Sequence, residues 1–380
     1  MKFTFAQSAP AVGVPRRGIG MQRITVFASA ILWMFMAAPV TWAAGKSVTL
    51  PGNQSWVDTG VDVKAGDVYQ FDASGEITYP NARSATPPEG KPKGWRDLTR
   101  AFPAESADRG AVIGRIGSSD AALAFLIGAS KQVTIPVAGR LFLGINHPAN
   151  ASADGSFTVK FSRVKAAPKD AGRFTGKLPA IDASYFGKIP RRVSDPHGSP
   201  GDRVNFAIIG TEDQVKSALE TAGWVIVDKN VQDTVLKGVL ATFSKQAYLT
   251  MPMSPLQLFG RIQDYGFAHA EPIAVVTQRH HFRIWKSPYE ADGANVWIGA
   301  GTHDIGFDRD QRNNGLTHKI DPDTDKERNY IVDTLKQTGT VVKTDCVTPK
   351  DTITKARTAH GEEFFSDGRI CIVWLRPRPE

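Results

Sequence analysis

Residues 279–285 read RHHFRIW, 296–306 read VWIGAGTHDIG and 317–328 read THKIDPDTDKER, and these stretches decide the fold of the C-terminal half. The first two have the pattern of β-strands, in which successive side chains point to opposite faces of a sheet. On the first, His281 and Arg283 share one face while His280, Phe282 and Ile284 take the other. On the second, Trp297, Gly299, Gly301 and His303 share a face, and Asp304 lies opposite or in the following turn. Gly299-Ala300-Gly301 reads as close backbone packing rather than a phosphate loop. In the third, His318 and Ile320 share a face just before Asp321-Pro322. A helix begins there and runs to about Lys336, with proline suited to the first turn and Asp323, Asp325 and Glu327 suited to its positive end.

Outward from these segments, NFAIIG (205–210) is a buried type of strand. Thr211 and Gln214 form a capping box that opens the helix TEDQVKSALETAG, and Gly223 closes it. A second helical stretch covers about Val231 to Gln246, followed by the strand-like run LQLFGRI (256–262). Two closing strands, TVVKTDCV (340–347) and GRICIVWL (368–375), carry Cys346 and Cys371, the chain's two cysteines. In an oxidising compartment such a pair bridges; the alternative is two inert buried thiols. Helices and strands in this order make residues 201–380 an α+β domain.

Upstream, 44–164 is all-β. Short alternating runs such as SWVDTGVDV (55–63), RLFLGIN (140–146) and GSFTVKFS (155–162) are separated by Gly, Pro, Asn and Asp. Seven or eight short strands in this length imply a β-sandwich of jelly-roll type. One long loop, Pro80 to Gly110, interrupts it, and a loop of that length is usually functional or disordered. Residues 165–200 are rich in Pro, Gly and basic residues and read as a linker.

Residues 1–43 read as a signal peptide. Arg23 precedes the uncharged run Ile24–Val40, and Thr41-Trp42-Ala43 places small residues for cleavage before Ala44. Met21 would begin an ordinary leader by itself. An uncleaved membrane anchor is the competing reading, because the run approaches the roughly 20 residues that span a bilayer. Arg16-Arg17 makes a poor twin-arginine signal, and the lack of Cys at the cleavage point excludes a lipoprotein. Location is therefore periplasmic or extracellular. The formal charge is +8, and removing Lys2, Arg16, Arg17 and Arg23 with the leader leaves about +4. With no long basic block, nucleic-acid binding is excluded as the function class, and the residual charge favours an anionic envelope polymer.

The segments Gly110–Gly117, LFLGIN (141–146) and Gly155–Val159 loosely resemble the β-sandwich of PA-I-type galactophilic lectins. That resemblance implies a calcium-dependent sugar site and places Tyr79 where the family supplies a backbone carbonyl ligand. The calcium loop departs from the pattern. His147 stands in place of an Asp, and ASADG (151–155) replaces an Asn-Asn pair. Calcium needs several hard oxygen ligands at once. Asn146, Ser152 and Asp154 are the oxygen ligands left there, with Asn146 and Asp154 the candidate ligand-binding residues, so calcium is not expected and galactose specificity is not carried over. Trp95, in the long loop, is the residue on which a sugar would stack. A packing module that has lost its ligand site is the alternative.

SPLQLFGRIQD (254–264), together with the three segments quoted first, resembles the LssY C-terminal domain family over about 200–380. The family takes its name from a component ascribed to type I secretion and has no established activity. The resemblance implies a partner in the membrane or the secretion apparatus. For chemistry, His281, His318, Asp321 and Arg283 form a candidate catalytic set. His281, His303, Asp304 and His318 form a candidate zinc or manganese set, since hydrolysis at such a metal needs neutral imidazoles, carboxylates and an open water position. Arg283 suits a phosphate or carboxylate of the substrate. None of the spacings matches a known metal motif. The structural alternative is that these histidines pair with helix-capping aspartates.

Two functions follow from the sequence. One is an exported binding or accessory protein of the envelope, recognising a glycan or polymer. The other is a periplasmic metal-dependent or acid–base hydrolase targeted by a lectin-like module. N-terminal sequencing of the exported protein is expected to begin at Ala44; a chain still carrying Met21 would establish an anchor instead.

Overall fold

A computed structural model describes residues 45–97, 100–148, 150–169, 173–227, 253–270, 278–309, 316–359 and 361–377; the side chains of 270, 278, 307–309 and 316–318 are outside the description. The leader and the helical stretch expected at Val231–Gln246 lie outside it.

The first domain is a sandwich of two four-stranded antiparallel sheets. One runs β1 (Lys46–Pro51), β8 (Asp154–Lys165), β3 (Val68–Thr78), β6 (Ser130–Thr134), and the other β2 (Trp56–Val63), β7 (Gly139–Ile145), β4 (Val112–Ile116), β5 (Ala124–Leu126). Alternate residues turn inward, as the period of two requires. Phe71, Phe157, Val159, Leu141, Leu143 and Ile145 are sealed between the sheets. The described residues of the long loop are tied to the sandwich. A 3-10 turn at Trp95–Asp97 and bridges Ile77–Thr86 and Lys91–Arg109 tie it down. Buried Asn146 accepts from the Ala104 N–H and donates to the carbonyls of Ala104, Ala107 and Asp108.

In the second domain a mixed sheet has the order β12 (Val225–Ile226), β15 (Tyr265–Ala270), β16 (Gln278–Lys286), β17 (Val296–Arg309), β11 (Phe206–Ile209), β22 (Ile370–Leu375), β19 (Val341–Val347), with β18 (Leu316–Ile320) also paired to β17. Only β11 and β22 run parallel. Helices α1 (Glu212–Thr221) and α2 (Thr324–Gln337) cover one face through Val215, Leu219, Ile331 and Leu335, which meet Phe206, Phe282 and Val373. The Thr211–Gln214 capping box forms as its sequence dictates.

Residues 165–200, expected as a linker, cover the opposite face from about Leu178 onward. Phe186 and Ile189 are buried there with Trp285 and Ile298, and Trp374 donates to the Pro179 carbonyl. Their apolar residues fall at irregular spacing, so no periodic signal marks them. A small sheet completes this layer, ordered β10 (Pro200–Arg203), β9 (Arg192–Ser194), β13 (Gln257–Leu258), β14 (Arg261–Ile262). The last two strands form a hairpin whose corner residues Phe259 and Gly260 have φ of 56° and 72°. Both central positions of a type I′ turn require such positive φ. A hairpin of β20 (Lys355–Arg357) and β21 (Glu363–Phe365) lies outside the main sheet.

Gly299 and Gly301 are there for packing: a Cβ at either would meet the Phe206 ring at 2.1 Å or Ile331 at 2.5 Å. Cys346 and Cys371 are register partners on β19 and β22 and form a disulfide. Native, unreduced protein should therefore resist alkylation at both cysteines. Replacing both with serine should lower stability by roughly 3 kcal/mol, the chain-entropy value for a loop of this size, as read by denaturant unfolding.

Candidate functional site

The centre of the second domain's sheet is where its charge collects. Strand β16 pairs residue by residue with β17, so that Arg279 faces Asp304, His280 faces His303, and His281 faces Thr302. Alternation then divides the polar side chains between the two faces.

On the face away from the helices, Arg279, His281, Arg283, Thr302 and Asp304 line a cleft of about 370 Å³. All five are buried, from 2% exposed for Asp304 to 7% for His281. Thr302 Oγ1 is 3.0 Å from His281 Nε2, and His281 Nδ1 lies 3.5 Å from Asp304 Oδ2 and 3.4 Å from the Arg279 carbonyl. With two acceptors beside Nδ1, the proton of neutral His281 belongs on that nitrogen, and Nε2 accepts from the threonine hydroxyl. Arg279 Nε stands 3.6 Å from Asp304, while Arg283 faces Asp202 at 3.6 Å and donates to the Ser254 carbonyl. Burial pushes the Asp304 carboxyl up to about 7 despite the opposing pull of Arg279 and Arg283. Burial also lowers the pKa of Arg283.

On the helix face, His280 Nδ1 meets Glu327 Oε2 at 2.5 Å, and its ring is stacked between those of His303 (4.2 Å) and Tyr330 (3.7 Å). Asp321 belongs to this side, lining a second cavity with His280 and His303. Its carboxylate accepts from the Asp323 N–H and from Lys326, which is helix-start work.

The two sets expected from the sequence are thus separated. His281 and Arg283 share the cleft, but Asp321 does not join them. His281 and Asp304 adjoin, whereas His303 points through the other face of the sheet. His318 is paired through its backbone to Phe307, and its side chain is outside the description. Among the described residues no three of His, Cys, Asp and Glu form a group fit to hold a metal ion. Of the zinc or manganese set, His281 and Asp304 share one face and His303 lies on the other, because adjacent residues 303 and 304 of one strand cannot face the same way. Arg279 and Thr302 were missed; Arg279 was detectable, since it shares parity with His281 and Arg283.

The sandwich residues are also dispersed in role. Asn146 is committed to anchoring the long loop. Tyr79 is buried under Arg109, whose guanidinium lies 4.3 Å from the ring centroid, and burial raises its pKa. Asp154 is exposed at the start of β8. Trp95 is 77% exposed, with Arg96 at 5.0 Å from its ring.

Residues 186–370 match the family described as LssY C-terminus, so the second domain is LssY-like. Among solved structures, one titled "EclA N-terminal domain; PllA-like lectin" is similar to this chain at 22% identity, covering 32% of this chain and 95% of its own, with a TM-score of 0.24. No curated protein matches the chain.

Because Asp304 holds its proton more tightly folded than unfolded, it contributes stability below about pH 4 that is lost as pH rises through about 7. Asp304→Asn should remove that loss. Its melting temperature relative to the parent is expected to be higher at pH 8.5 than at pH 5, by the equivalent of a few kcal/mol at about 1.4 kcal/mol per pK unit. An equal difference at both pH values would show that Asp304 is ionised throughout.

Proposed function

We propose that this chain is an exported binding or accessory protein of the cell envelope, whose LssY-like domain receives one anionic group of its ligand in the cleft at Arg279, His281 and Arg283. The export part rests on the leader sequence alone. The cleft carries the rest: four ionisable groups, Arg279, His281, Arg283 and Asp304, are buried on one cavity wall. Burying an ion costs several kcal/mol, roughly, even after relaxation, and clustering such groups at a cavity wall adds nothing a hydrophobic wall would lack.

The charge balance narrows the ligand. Arg279 and Arg283 both line the cleft, with Asp202 3.6 Å from Arg283, and two guanidiniums on one wall suit a carboxylate or phosphate. Asp195 and Glu362 also line the cleft and disfavour a polyanion. The ligand therefore presents a single anionic group, as a chain end or a substituent does. Entry of that group favours the protonated form of Asp304, so binding takes up a proton.

A second reading has its own observation. Thr302, His281 and Asp304 stand in the order hydroxyl, imidazole, carboxyl, the arrangement by which an imidazole activates a nucleophile. Arg279 and Arg283 would then stabilise developing negative charge. This is acid–base hydrolysis without a metal.

Sulfate, which does not titrate here, separates the two by calorimetry. Its affinity should fall as pH rises through 7, approaching tenfold per unit, and should be lost in Arg279→Met with the fold intact. Affinity insensitive to both would sink the anion cleft. Hydrolysis of p-nitrophenyl esters that disappears in both Thr302→Val and His281→Gln would instead establish the enzyme.

A further inference from the structure

The sandwich packs against the second domain: a Cβ on Gly339, the residue after the α2 C-cap, would come within 2.7 Å of the Pro136 carbonyl oxygen. Where they meet lies a cavity of about 590 Å³, separate from the Arg279–Arg283 cleft. Trp56, Arg115 and His147 line it from the sandwich, and His303, Glu327 and Tyr330 from the second domain.

His147 is the anomaly in this cavity. It is 2% exposed, and among the described residues neither of its ring nitrogens has a hydrogen-bond partner. A buried donor or acceptor left unpaired loses its hydration without replacement, and here one ring carries two. Burial first, and the charge of Arg109 second, lower its pKa, so the ring is neutral, with one N–H donor and one acceptor nitrogen. Arg115 adds a second unmet group. Its guanidinium lies over the Trp56 ring at 4.3 Å, and its buried Nε–H has no acceptor among the described residues.

We infer that this inter-domain cavity is a second binding site, taking an uncharged ligand that carries secondary amides. The unmet inventory is two donors, His147 N–H and Arg115 Nε–H, and one acceptor, the other His147 nitrogen. A carboxylate or a doubly ionised phosphate has no hydrogen to give the imidazole, and an ammonium has no lone pair for Arg115. An amide supplies a carbonyl and an N–H together, in the form of a peptide or of an N-acyl group. Trp56, Pro103, Ala122 and Ala124 provide apolar wall for its carbon skeleton. Because both domains contribute lining, neither makes the site alone.

The test is ligand-detected NMR titration of the purified full chain with two amide probes, N-acetyl-L-alanine methylamide and N-acetylglucosamine. The control is the ester in which oxygen replaces both amide nitrogens of the first probe. At least one amide is expected to bind, and which one does identifies peptide or N-acyl sugar as the source. The ester should bind at least tenfold more weakly than its amide parent if the peptide source is right. His147→Phe should weaken the bound amide at least tenfold. His147→Gln, which keeps a donor and an acceptor, should weaken it less than threefold. His303→Leu, across the cavity, should weaken it at least threefold. Melting temperature and near-ultraviolet circular dichroism establish that each variant is folded. Failure of both amides to bind overturns the proposal, as does unchanged affinity in folded His147→Phe. Binding that survives His303→Leu undiminished overturns the two-domain site.

Discussion

Strand β16 runs through the middle of a sheet covered on both faces, yet four of the five residues from 279 to 283, Arg279, His280, His281 and Arg283, are polar and each is buried. In an ordinary central strand both sets of alternating side chains would be apolar, because a charge there loses its hydration. Three acids from different elements compensate the four groups. Glu327 on α2 meets His280, Asp304 on β17 serves Arg279 and His281, and Asp202 beside β9 meets Arg283. Placing those three acids requires α2, the β16–β17 register and the segment before β11 together. The polar strand thus depends on nearly every element of the second domain.

Asp304 is where that compensation is least complete. Two guanidiniums nearby would hold an exposed carboxyl low, but desolvation outweighs them and leaves the group near neutrality. It is also within electrostatic reach of His303 and Glu327, which project from the opposite face of the sheet. The charge state of the cleft is therefore tied to the histidine and glutamate that line the inter-domain cavity. Two cavities back to back across one sheet share an electrostatic environment without sharing a side chain.

The sandwich contributes a rigid wall. Its long loop would be costly to order by itself, and Asn146 holds it by four hydrogen bonds from a single side chain at the end of β7. The residue that follows, His147, is consequently fixed in position, with no hydrogen-bond partner for its ring nitrogens among the described residues.

Much of this was legible from residue order. The period of two on 279–285 and 296–304 determined which side chains share a face, because strand geometry permits no other arrangement. The Thr211–Gln214 capping box, the aspartates opening α2 and the glycines of 299–301 as packing positions follow from equally local rules. Tertiary structure alone decided which faces meet. His281 and Asp321 both belong to the candidate catalytic set, but Asp321 turns toward α2 while His281 turns away, and no local pattern sets that turn. Burial of 178–194 against the sheet, and the meeting of His147 with His303 across a cavity, are likewise long-range events. Contacts between residues more than a hundred positions apart depend on how whole layers pack, and a single sequence holds no periodic signal for them.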